Sequence, residues 1–290
     1  MDESPGFVWG YLRSILLISG FIPYYPNHTK KSCFITIINI SLHIMAIFRH
    51  VDFIFNKLIK RNKEFFEIFF NIFNVLGSTL SAILNLIFIV KRRSRIFQLN
   101  IEISKLINEL SQYQTKNFTK LTKFIRGLSY YSAVVSAINS IRVIVTILTP
   151  KVTFIYKFNT CFNTHSVLMA DLNFVIYILN IKIIFELINE ILESFKIENR
   201  KKGKVEMMAK LRIFYFKGCD VANIAADSFS DGVMITIIVE FIGFVYGFYD
   251  LTKKEEKSLG LYLSVMHWYW FFITKLFLKL CVCVLTTKQV

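Results

Sequence analysis

The stretch from Phe65 to Val90, FFEIFFNIFNVLGSTLSAILNLIFIV, limits this chain more than any other. An apolar run of that length can cross the roughly 30 Å hydrocarbon core of a bilayer as a helix, which needs about twenty such residues. In lipid the backbone must satisfy its own hydrogen bonds, so a span of this kind is helical. Five further stretches qualify, giving six expected spans: roughly 33–55, 65–90, 128–149, 161–188, 228–249 and 260–285. The first is broken near its end by Arg49, His50 and Asp52. The expected fold is all-α, a polytopic transmembrane helical bundle.

Composition agrees with that reading. Hydrophobic residues make up 54% of the 290 and mean hydropathy is +0.49, too apolar for a domain that presents a charged surface to water. Four prolines, eleven glycines and the absence of low-complexity tracts leave no linker, so residues 1–290 read as one membrane domain. The net charge of +15 does not point to nucleic acid, because the basic residues fall between apolar spans. There they mark cytoplasmic loops and contacts to anionic membrane lipid. The N-terminal FVWGYLRSILLISGFIPYY contains Arg13 and offers no small-residue cleavage site, so it reads as an amphipathic helix on the membrane face.

Orientation follows from the Lys and Arg count beside the spans. With the N-terminus cytoplasmic, the inner side holds Lys30 and Lys31, the run KRRSR from Lys91 to Arg95, then Lys105, Lys116, Lys120, Lys123 and Arg126, and RKKGK from Arg200 to Lys204. The outer side holds Lys57 to Lys63, Lys151, Lys157 and the mixed KKEEK at Lys253 to Lys257. The inner side is richer, which places both termini in the cytosol.

No motif for catalysis is present. The chain lacks H-E-x-x-H, the phosphate loop G-x-x-x-x-G-K-[ST] and G-x-S-x-G, and its five histidines and five cysteines show no metal-ligand spacing. No enzyme activity, cofactor or metal is expected. The informative residues are polar groups inside the spans, where a charge costs about 2.5–3.5 kcal/mol to insert unless it pairs, snorkels or faces a wet cavity. Arg142, Asp171, Glu240 and His267 fall in the outer halves of their spans in this orientation. With Tyr246, Trp268 and Trp270 they form a candidate ligand pocket. Interfacial aromatic anchoring is the competing role for the tryptophans, and an ion pair of Arg142 with Asp171 or Glu240 the competing role for the charges. Lys275 and Lys279 are expected to near the cytosolic side of the last span.

The segment Leu211–Leu251, LRIFYFKGCDVANIAADSFSDGVMITIIVEFIGFVYGFYDL, resembles the fifth-helix region of insect gustatory receptors at Asn223, Phe229, Ser230 and Tyr249. The stretch from Gly20 to Pro23 is similar to the segment before that family's first helix. Asn189, in FELINEILES, is similar to the motif leaving its fourth helix. The resemblance implies a seven-helix chemoreceptor with a cytoplasmic N-terminus, a tetrameric ligand-gated cation channel that takes small-molecule tastants, made of like or unlike subunits. It also implies that the long basic loops, Lys91 to Arg126 and Glu190 to Lys217, are cytoplasmic helix extensions. One departure stands out: no Thr-Tyr dipeptide, the mark of the family's pore-lining seventh helix, occurs here. A chain ending before that helix is expected to be incomplete and not to conduct alone. The alternative is a membrane transporter that uses Arg142, Asp171 and Glu240 for a solute or ion path.

Overall fold

The computed structural model describes residues 29–53, 65–113, 154–197, 204–252, 270, 273–277, 279–281, 283–284 and 286–287. Among them the chain is all-α with no strand. In chain order the helices are α1 (Thr29–Phe53), α2 (Phe65–Lys91), α3 (Arg93–Ser111), α4 (Phe154–Ile197) and α5 (Lys204–Thr252). Further helical residues, at 270, 273–277, 279–281, 283–284 and 286–287, are together called the C-terminal helix below. The expected span 128–149 and the N-terminal amphipathic segment lie outside the described residues, as do Gly20, Pro23, Arg142, His267 and Trp268.

The expected span at 65–90 coincides with α2, and those at 161–188 and 228–249 lie within α4 and α5. Two helical stretches, Ser166–Phe195 and Val205–Val245, are long and apolar enough to cross a membrane. Length separates these helices from simple spans. At 1.5 Å per residue, the 44 residues of α4 reach about 66 Å and the 49 of α5 about 74 Å, more than twice a bilayer core. The basic loops at Lys91 and Glu190 are therefore helical for much of their length.

The joint between α2 and α3 falls at Arg92, whose backbone (φ −100°, ψ 14°) leaves the helical region. The hydrogen-bond ladder continues through it, from Arg92 N–H to Phe88 O at 2.8 Å and from Ile96 N–H to Arg92 O at 2.9 Å. The joint thus departs from helical dihedrals at one residue without interrupting the ladder. The Arg92 side chain holds it against α5, donating to Ser228 O at 3.1 Å and pairing with Asp231.

Beyond the joint, α3 buries Ile96, Leu99, Ile103, Leu106 and Leu110, alternating steps of three and four. α5 buries Met207, Leu211, Phe214, Gly218, Val221 and Ala225 with the same rhythm. This is the seam of helices that supercoil in water, with apolar side chains inward and charges outward. α4 fills the centre between them. Leu168, Leu172, Val175, Leu179, Ile184, Phe185 and Leu187 are all buried, and 83% of its apolar window is shielded inside the bundle, against 33% for α5. A helix that is apolar on every side belongs in a core.

The exposed face of α5 changes character along its length. Glu206, Lys210, Arg212, Asp220, Asn223, Asp227, Ser230 and Asp231 face outward on its first half, among Met208, Ile213 and Phe216. After Gly232 the outward residues are Met234, Ile238, Phe241, Val245 and Phe248, one stripe at alternating four- and three-residue steps. The C-terminal helix exposes Trp270, Phe277 and Val284, and α1 exposes Phe34, Ile37, Ile44 and Phe48. Apolar contact area of this extent is not left to water in a monomeric soluble protein.

Candidate functional site

Four charged side chains meet inside this apolar region. Asp171 comes from α4 and Glu240 from α5, while Lys275 and Lys279, four residues apart, lie on one face of the C-terminal helix. Lys275 Nζ contacts Asp171 Oδ2 at 2.6 Å and Glu240 Oε1 at 2.7 Å. Lys279 Nζ contacts the other oxygen of each acid, Asp171 Oδ1 at 2.6 Å and Glu240 Oε2 at 2.8 Å. The result is a closed ring of alternating charge with zero net charge. Its side chains are between 1% and 6% exposed. Taking an ion out of water costs several kcal/mol, and that cost is offset only where every charge has close opposite partners. Here each has two.

Lys275 and Lys279 are buried rather than extended to water, because the two carboxylates supply what water would otherwise supply. This arrangement corrects one sequence expectation: Asp171 and Glu240 are not at a separate level from those lysines, as opposite halves of a span would require. The pairing partner is lysine from the C-terminal helix, while Arg142 lies outside the described residues. Two lysines at helical spacing within an apolar run, with two acids in neighbouring runs, were the signal for this ring.

Next to Asp171 lies a cavity of about 20 Å³, room for a single water. Asn85, Asn173, Ser228, Gly232 and Thr236 contribute to its wall. Asn85 Nδ2 donates to Ser81 O at 2.8 Å and to Thr236 Oγ1 at 3.3 Å, while Thr236 Oγ1 donates to Gly232 O at 2.6 Å. Among the described residues the buried Ser228 hydroxyl has no hydrogen-bond partner, so a water in this cavity would complete it. Gly232 permits the approach of α2 to α5: a Cβ there would overlap the Asn85 amide oxygen. Ligand pockets for small molecules are typically about 300–1,000 Å³. This cavity has room for one water and is too small for a tastant.

The remaining residues singled out from the sequence are distributed as follows. Trp270 is 70% exposed, whereas the ring is buried. Tyr246 lies on α5 near its end. Phe229 is buried against Tyr177, with ring centroids 4.8 Å apart, and the Tyr177 hydroxyl donates to Asn100 Oδ1 at 2.8 Å, tying α4 to both α5 and α3. Asn223 and Ser230 face outward on α5, while Tyr249 and Asn189 are half-buried. The structure thus brings Asp171 and Glu240 together on shared lysines and leaves Trp270 on the exposed surface.

None of the family models, curated proteins or solved structures compared with this chain matches it.

Proposed function

We propose that the chain is a multi-pass plasma-membrane chemoreceptor subunit of the gustatory type, with six spans and a cytoplasmic N-terminus, contributing to a tastant-gated cation channel. The observation that carries this reading is the change on the outer face of α5 at Gly232, from charged and mixed to continuously apolar. It suits a helix whose second half lies in lipid and whose first half joins α3 and α4 in a water-exposed extension. The basic run Lys91–Arg95 sits at that change, as an inward-facing membrane edge requires. On this reading the ion ring lies in the cytoplasmic half of the membrane, because Asp171 borders the same cavity as Gly232 and Glu240 is only about 12 Å past Gly232 along α5. The tastant site then falls nearer the outer end, among Arg142, Tyr246, His267 and Trp268, and the ring serves as its floor.

The transporter reading draws on the same buried carboxylates, since ionisable groups inside a membrane often mark a transport path. Both acids are neutralised by lysine here, which leaves neither open to a coupling ion. One experiment separates the readings. In proteoliposomes, the receptor reading expects a saturable change in tryptophan emission with at least one of a sugar, a bitter alkaloid or bicarbonate, and no solute flux through the chain alone. Solute or proton flux without any saturable emission change would favour the transporter and overturn the receptor.

A further inference from the structure

We propose that Lys91 and Arg95 form a binding site for the phosphate-bearing headgroups of anionic membrane lipids. The site begins with the joint at Arg92. That guanidinium turns inward to Ser228 O and Asp231, whereas Lys91 before it and Arg95 after it are exposed. Lys91, Ser94, Arg95 and Gln98 are exposed. They continue a stripe that starts with the exposed Leu80, Ile87 and Val90 on α2. The outer face of the α2–α3 rod therefore passes from apolar to basic within one turn.

The level of that passage is fixed independently by α5. The Arg92–Asp231 pair sets the joint beside Asp231, one residue before α5 begins its own apolar face at Gly232. Two separate helices thus change character at the same height, and the two cations stand where headgroups would lie. Charge complementarity then selects the ligand. Asp231, the acid nearest the joint, is occupied by Arg92, and α3 has no acidic residue in its first turn. Among the described residues neither Lys91 nor Arg95 has an ionic partner. An ammonium and a planar guanidinium one turn apart suit a phosphate that accepts from both. Bound lipid would brace the joint at Arg92 in the long α2–α3 rod, making lipid composition a regulator of the extension below it.

The inference rests on the membrane reading above, and the test separates the two. The purified full chain is floated with neutral phosphatidylcholine vesicles and with vesicles that also carry phosphatidylinositol 4,5-bisphosphate. Failure to float with either overturns both the membrane reading and this site. The expected result is flotation with both, and in nanodiscs a retained phosphoinositide signal that falls about fivefold for each charge removed in Lys91→Gln and Arg95→Gln. The charge-keeping pair Lys91→Arg and Arg95→Lys should retain it, and Lys210→Gln, on the far part of α5, should leave it unchanged. Soluble inositol trisphosphate should compete only weakly, since it lacks the acyl chains that anchor the lipid. Flotation with both vesicles but equal phosphoinositide retention by wild type and the double Gln variant overturns the site and leaves the membrane reading standing.

Discussion

A lysine in an apolar helix keeps its charge by extending to water or by meeting carboxylates, and Lys275 and Lys279 do the second. The ring has a specific consequence because it is shared. Lys275→Met should destabilise the bundle by about 3–5 kcal/mol, since it leaves Asp171 and Glu240 with one cation between them. Adding Glu240→Leu should recover most of that loss, because the remaining Asp171–Lys279 pair is again neutral. Chemical denaturation in detergent, run as a double-mutant cycle, checks it; strictly additive losses would refute a shared ring. At Gly232 the expectation concerns shape. Gly232→Ala should cost about 1–3 kcal/mol by displacing Asn85 from Thr236, and Asn85→Ala in the same chain should relieve the overlap. Sequence alone singled out Asp171 and Glu240 by their cost in an apolar run but not their partners. Glu240 and Lys279 are 39 residues apart, and which helix faces which is decided by packing that no local pattern records.

Among the elements, the apolar runs announced the helices well: the run at Phe65–Val90 is α2 to within one residue. Their burial was less legible. α4 has the hydropathy of a span, yet its second half, past Tyr177, packs against Tyr215 and Gly218 in the part of α5 whose other face carries charges. A core helix and a lipid-facing helix carry the same residues, and only the neighbours tell them apart. The heptad seam of α3 is the corresponding sign of a water-exposed bundle, and it yields a prediction. Ile103→Ala should cost about 2–5 kcal/mol and raise amide exchange in α3 while α2 stays protected. Equal loss of protection in both helices would mean that the two form one cooperative unit across Arg92.

For the molecule as a whole, three rods of about 65–75 Å, α2–α3, α4 and α5, run from an apolar-faced end to a charged-faced end. The ion ring ties the C-terminal helix to α4 and α5 at the apolar end. At the other end the seam of α3, α4 and α5 holds without charges in its core. Two solvents are expected along one helix, and α5 carries the test on its own surface. Nitroxide labels at Asn223→Cys and Phe241→Cys, both on outward positions, report contact with a water-soluble nickel relaxant and with oxygen dissolved in lipid. In vesicles the label at 223 should collide with nickel, and the label at 241 with oxygen while shielded from nickel. Equal access of nickel to both positions would contradict a membrane around the second half of α5, and with it the central claim.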